Sequence, residues 1–303
     1  MSVAITYEKF GGPDVLQFTD THPPVPGPGQ VRIQVRAASV NPMDVKLRNG
    51  DLAKVFPAEF PATPGMDAAG VVDALGEGVD HLDIGDDVFG PTATGAYAEH
   101  AIMRVAAPKP AEVSLELAAA LVTVGEAAWR ALAHLDLAEG ATLLVHGAAG
   151  NVGSLAVQLA RGRGINVIGS ALAEHQDQVK AHGAQAVTAG TDLVAQVRAL
   201  APRGVDGVLD AAGAGVLPES VELTGDPAKV VTLADPRARE LGVRFTGMTP
   251  QDRMYDCLPQ LAERMAAGEL TLPIWRVLPL AQVGEAHLAI EERRAEGKII
   301  LIP

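Results

Sequence analysis

"LLVHGAAGNVGSLAVQLARGRGINVIGSA", residues 143–171, is the stretch that decides the fold. An apolar run ends at His146, a glycine-dense turn follows, a helical segment begins near Gly153, and a second apolar run closes the stretch. A buried strand that feeds a helix through such a turn leaves the first N–H groups of the helix pointing at the strand's carboxyl edge. Those unpaired donors, at the positive end of the helix dipole, favour an anion. Gly147 permits the tight turn, Gly150 lets a diphosphate approach the backbone, and Gly153 allows close helix–strand packing. No Asp or Glu occupies the first helical turn, where a carboxylate would compete with a phosphate. The spacing is Gly-x-x-Gly-x-x-Gly rather than the commoner Gly-x-Gly-x-x-Gly. The strand, helix and second strand around it nevertheless meet the context that dinucleotide binding requires. The residues expected against the nucleotide are Gly147, Ala148, Gly150, Asn151, Val152 and Gly153. A purely structural turn is the competing reading.

Downstream the alternation continues. Strands are expected at 142–146, 165–170, 186–188, 205–210, 230–233 and 243–246, separated by the helical stretches "SLAVQLARGR", "EHQDQVKAH", "LVAQVRAL" and "LPESVEL". Apolar strands joined by helical crossovers predict a parallel sheet covered on both faces. The second strand ends in Gly169-Ser170-Ala171, with no acid to accept from a ribose 2′-OH. That removes a repulsion against a 2′-phosphate and favours NADPH, with NADH possible. Ser170 and His175 are expected near the ribose, and His175 and Lys180 are the local cations.

Upstream, residues 1–110 read as short strands between Gly- and Pro-rich turns, the texture of a β-barrel or sandwich. From Ser114, "SLELAAALVTVGEAAWRALAHL" has apolar residues at helical spacing with Ser114 as its cap. A last helix is expected around 251–267. "TLPIWRVLPL" and "KIILIP" then return to strand texture, which makes the first domain discontinuous.

The chain has 303 residues, 48% hydrophobic and 20% charged, so two globular domains are expected. A net charge of −13 without basic clusters argues against nucleic acid and anionic lipid. One cysteine, Cys257, excludes an intrachain disulfide and a multi-cysteine zinc site, and reads as a semi-buried helix residue. The start carries no signal-peptide pattern and no apolar run is long enough to span a bilayer, so the expected compartment is the cytoplasm.

Several segments together resemble the zinc-free quinone oxidoreductase branch of the medium-chain dehydrogenase/reductase superfamily, the zeta-crystallin-like group. "SVNPMDVKLRNG" (39–50) is similar to its Asn-Pro-x-Asp-x-x-x-Arg-x-Gly segment, and "TPGMDAAGVV" (63–72) to its Pro-Gly-x-Asp-x-x-Gly element. "GAYAEH", the glycine turn and the terminal "EGKIILIP" follow in order. The resemblance implies an α/β fold: a Rossmann doubly wound parallel sheet over 114–267, and a GroES-like β-barrel catalytic domain over 1–113 and 268–303. It implies a nicotinamide cofactor and a small-molecule substrate, a quinone or an enal. An enoyl or alkenal double-bond reductase and a non-catalytic dinucleotide-binding protein stay open beside a quinone reductase.

By the same resemblance, Asn41 and Asp44 line the nicotinamide end of the site. Lys46 stands where many relatives have Tyr and donates to a developing quinol or enolate oxygen. Against this, Asn41 before Pro42 also reads as a turn, and Lys46 and Arg48 as solvated ends of a strand or helix. Further cofactor contacts are implied at Thr123, Ala212, Gly213, Leu233, Ala234, Thr246 and Gly247. Ala127 replaces the family's usual threonine, and Leu172 and Glu174 hold the places of its 2′-phosphate partners. Asn41 and Met66 stand where zinc-dependent relatives carry ligands, and no metal is expected. Tyr97, Trp129 and His146 read first as core residues, and His134, His182 and His287 have no second ligand at metal spacing. A homodimer through 243–246 is a family expectation.

Overall fold

The first strands are β1 (Ser2–Thr6), β2 (Gln17–Thr21), β3 (Val31–Val40), β4 (Asp67–Leu75), β5 (Asp87–Pro91), β6 (His100–Met103) and β7 (Ala107–Pro108), and alternation of apolar and polar residues is clearest in β3. In β3, Val31, Ile33 and Val35 are buried while Arg32, Gln34 and Arg36 lie outside or half-buried. Helix α1 (Pro42–Asn49) follows β3, with Pro42 in its first turn and Gly50 closing it in the left-handed region at φ 90°. Then come α2 (Leu115–Leu135), β8 (Thr142–His146), α3 (Asn151–Arg161), β9 (Asn166–Ala171), α4 (Gln176–Ala181), β10 (Gln185–Thr188), α5 (Leu193–Leu200), β11 (Gly207–Asp210), α6 (Leu217–Thr224), β12 (Val230–Thr232) and β13 (Arg244–Phe245). The chain ends with α7 (Leu258–Ala266), β14 (Ile274–Pro279), α8 (Val283–Glu291) and β15 (Lys298–Ile302). The computed structural model describes residues 1–190 and 192–303.

These elements part into two units, Met1–Thr123 with Tyr255–Gly268 and Leu272–Pro303, and Val124–Met254 with Glu269–Thr271. The division falls inside α2, at Thr123/Val124, rather than at 113/114. Residues 255–268, expected with the parallel sheet, belong to the first unit, where α7 packs on β7. Within 251–267 only Leu258–Ala266 is α-helical; Pro250–Asp252 and Tyr255–Cys257 are 3₁₀ turns.

The first unit is a mixed sheet in the order β14-β15-β3-β4-β5-β7, with β6 also on β3 and a β1–β2 hairpin beside it. Its core gathers Ile33, Val35, Val72, Val88, Met103, Ile299 and Leu301, with Val283 and Ala286 of α8 covering it. The second unit is a parallel sheet in the order β10-β9-β8-β11-β12-β13. The chain runs outward from β8 to β10, then crosses back to β11 and runs outward the other way. The direction of winding therefore reverses between β8 and β11, the switch point where open α/β sheets take ligands at their carboxyl edge. Leu144, Ile168, Val208 and Val230 meet Leu193, Val197 and Leu217 of the covering helices. Among the described residues, no helix is long and apolar enough to cross a membrane.

Candidate functional site

At the switch point the turn after β8 is shaped by two glycines. Gly147 has φ 71°, a conformation that disfavours other residues. A Cβ on Gly153 would lie 2.1 Å from the Gly147 carbonyl oxygen and 2.9 Å from Ala148 Cα. The helix starts at Asn151, two residues before the expected point, with Gly150 as its N-cap. The close approach that Gly153 permits is to the backbone of the turn rather than to the body of the strand.

The first intrahelical bond runs from the Ser154 N–H to the Gly150 carbonyl, and the Gly150 N–H donates to Gly147. Among the described residues, no acceptor takes the N–H groups of Ala149, Asn151, Val152 or Gly153. The first turn carries no acidic residue. This is a donor-lined cradle at a helix N-terminus, and its free N–H groups and lack of an acid suit a diphosphate.

The neighbouring loops are drawn towards it. Asp210, buried at the end of β11, accepts from the N–H groups of Ala212 and Gly213 at 2.9 Å each and from the Thr232 hydroxyl at 2.8 Å. A Cβ on Gly147 would stand 3.3 Å from Ala212 Cβ, and one on Gly213 2.8 Å from Ala234 Cβ. Gly147, Ala212, Gly213 and Ala234 thus border one place, with Leu233 beside them, half-buried.

Other expected contacts are placed differently. Ser170 is buried, and its hydroxyl meets His146 Nδ1 at 2.9 Å instead of facing a ribose. His146 Nε2 meets the Ser220 hydroxyl at 3.1 Å, and burial lowers the imidazole to about 4, so it stays neutral. His175 is exposed in a 3₁₀ turn after β9. Thr246 is buried, its hydroxyl accepting from Arg130 at 2.9 Å, and Gly247 lies against the same guanidinium. Arg130 is itself buried with Glu126, which also accepts from Arg253 and the Met254 N–H. Within "GEAAWR" the i, i+4 spacing of Glu126 and Arg130 is the signal that could have found this ion pair. Trp129 is half-buried, with the Arg163 guanidinium 4.8 Å from its ring centre.

In the first unit, Asn41 and Asp44 lie in a buried polar network. Asn41 caps α1. Its Nδ2 donates to Asp67 at 2.9 Å and its Oδ1 accepts from Lys298 Nζ at 2.7 Å. Asp67 also accepts from the Thr123 hydroxyl at 2.8 Å and the Thr123 N–H at 3.2 Å. Thr123 therefore spends both groups on a carboxylate of its own unit. Asp44 accepts from the Asn41 N–H at 2.8 Å and the Tyr97 hydroxyl at 3.1 Å. Lys46 is exposed on α1. Arg48, for which a solvated position was one reading, is fully buried and ion-paired with Glu291, because α8 covers that face of α1. Asp67 and Lys298 are the participants that sequence alone did not reveal. Each is the charged first residue of an otherwise mostly apolar strand, and Lys298 meets Asn41 across 257 positions.

Burial, followed by the charge of Asp67, raises Asp44 to about 7. Burial also raises Asp67, against the pull of Lys298, and lowers Lys298 to about 8. Between 3.8 and about 7 the folded protein holds a proton on Asp44 that the unfolded chain releases, so this group's contribution to stability falls as pH rises. Asp44→Asn removes that dependence. Its stability relative to the parent protein is expected to rise by on the order of 2 kcal/mol between pH 5 and pH 8. Urea titrations at the two pH values read this directly, and parallel curves would contradict it.

Residues 27–111 match the alcohol dehydrogenase GroES-like domain family, and residues 182–301 the zinc-binding dehydrogenase family. The chain is 31% identical to the quinone oxidoreductase of Lama guanicoe over 99% of its length and 97% of the relative's. It superposes on the quinone oxidoreductase of Coxiella burnetii with a TM-score of 0.85 at 29% identity, covering all of both chains. A mycobacterial protein solved in complex with NADPH gives a TM-score of 0.85 at 28% identity, again over all of both chains. The chain belongs to the quinone oxidoreductase family of the medium-chain dehydrogenases/reductases. It is an oxidoreductase enzyme with a GroES-like domain and a Rossmann-like parallel sheet. The residues present do not fit the zinc in one family's description. Among the described residues, no three of His, Cys, Asp and Glu are placed to hold a metal. The places implied for ligands hold Asn41 and Met66.

Proposed function

We propose that the protein is an NADPH-dependent reductase of a quinone-type small molecule, working without zinc. The observation that carries this reading is the cradle of unpaired N–H groups at 149 and 151–153, seated where the winding of the sheet reverses. NADPH, when bound, supplies the hydride. The chain's own residues hold the diphosphate at the α3 N-terminus, and Asp210 shapes the loop at Ala212 and Gly213. The carboxyl tip of β9 presents Ala171 and Leu172 with no carboxylate to repel a 2′-phosphate, which supports NADPH over NADH. The quinone follows from the relatives' names and from the family expectation of Lys46 as donor to the developing oxygen. In this reading Asn41 and Asp44 act as positioning residues, because their side chains are buried and already engaged. The chain is further proposed to dimerise through β13, an outer strand of its sheet, which a scattering mass tests.

Titration with NADPH and NADH side by side, followed by turnover of a panel of quinones and enals, tests the proposal. NADPH is expected to bind more tightly and quinones to turn over, with a chelator leaving the rate unchanged. Turnover of enals alone would move the assignment to a double-bond reductase. Binding without turnover would leave a dinucleotide-binding protein, and a chelator-sensitive rate restored by zinc would overturn the metal-free chemistry.

A further inference from the structure

Helices α1 and α8 pack against each other, and each presents two polar residues one turn apart to the seam. α1 contributes Asp44 and Arg48, and α8 contributes His287 and Glu291. Asp44, Arg48 and His287 are fully buried, whereas the Glu291 side chain remains 29% exposed. Glu291 pairs with Arg48. Tyr97 closes the other end, with its hydroxyl on Asp44 and its ring edge-on to His287 at a centroid distance of 5.7 Å.

Within this box five buried polar atoms have no partner: Asp44 Oδ1, Arg48 Nε and Nη1, and both ring nitrogens of His287. Leaving any one of them dry is costly, most of all where the group is charged. Interiors tolerate few such atoms, and polar cavities bordered by several of them hold water that makes two to four hydrogen bonds. Between them these atoms offer water donors on Arg48, an acceptor on Asp44 and an amphoteric imidazole on His287. Burial, followed by the Arg48 charge, lowers His287 to about 3, so the ring is neutral and able to donate at one nitrogen while accepting at the other.

We propose that the α1–α8 seam is a hydrated proton path, in which internal water bound by Arg48, His287 and Asp44 connects the surface carboxylate of Glu291 to the buried carboxyl of Asp44. The path lets Asp44 gain or lose a proton without the fold opening. It thereby sets the charge beside Asp67 and Lys298, whichever substrate the enzyme reduces. The groups that face Asp44 are Tyr97 from the loop before β6, Asp67 of β4 and Lys298 of β15. Tyr7, just past β1, also feels the Asp44 charge.

Exchange of the Asp44 carboxyl proton for deuterium, followed in the folded protein by infrared spectroscopy at pH 6, tests this. The protonated-carboxyl band is assigned by its loss in Asp44→Asn. In the parent protein the band is expected to shift within the mixing time. His287→Leu, close in volume but unable to bind water, is expected to slow that shift at least tenfold. His287→Gln, which keeps a donor and an acceptor, is expected to restore it. A high-resolution crystal structure should show water within hydrogen-bond distance of Arg48 Nη1, His287 and Asp44 Oδ1. A dry seam, equally fast exchange in His287→Leu, or no band that Asp44→Asn removes would each overturn the proposal.

Discussion

Gly153→Val is expected to lower NADPH affinity about 100-fold while leaving a cooperative thermal transition. The Cβ would fall 2.1 Å from the Gly147 carbonyl oxygen, inside any contact distance, and its nearest neighbours are backbone atoms that no rotamer change can move. The turn from Gly147 to Gly150 must shift, and with it the start of α3, whose N–H groups the diphosphate needs. Overpacking of this kind costs about 1–3 kcal/mol, and each 1.4 kcal/mol is a factor of ten in affinity. The strand and helix cores on either side are untouched, with Leu143, Leu144, Leu155 and Leu159 all buried. Fluorescence titration beside a melting curve separates loss of binding from loss of fold. Unchanged affinity would remove the nucleotide from this turn.

Lys298→Met is the second large effect, and it falls on stability. The methionine fills the volume of the lysine stem but leaves Asp67 and the Asn41 carbonyl oxygen without their cation. Removing one member of a buried pair typically costs about 3–5 kcal/mol, because the remaining charge stays desolvated. The sign of the pH dependence follows from Asp67. Burial already raises it and Lys298 opposes that rise, so loss of the lysine raises it further. A carboxyl raised in the fold is penalised above its folded value and relieved as pH falls towards its ordinary range near 3.8. The variant's deficit is therefore expected to be larger at pH 8 than at pH 5 in denaturant titrations. A deficit independent of pH would show that Asp67 is not the group left exposed to the loss.

Legibility in the sequence followed the range of the interactions. The β8–turn–α3–β9 unit is local, so its apolar runs and glycines marked each element to within two residues. The cradle could be read because it is made of backbone, whose direction the turn fixes. Side-chain destinations were harder. Ser170 looked available at a strand tip, yet the neighbouring strand brings His146 to it. Arg48 resembled a solvated helix end until α8, more than two hundred residues away, covered it. The Asn41–Asp67–Lys298 network, and the arrival of Arg253 at Glu126, join residues whose spacing in the chain has no period, so no local pattern announces them. The division inside α2 was hidden for a related reason, since one continuous, largely buried helix contributes residues to both units.

The most direct test of the account is a crystal structure of the protein with NADPH. Diphosphate oxygens are expected within hydrogen-bond distance of the main-chain N–H groups of Asn151, Val152 and Gly153, with Gly147 keeping its positive φ. A nucleotide bound elsewhere, with those amides taken up by protein atoms, would contradict it.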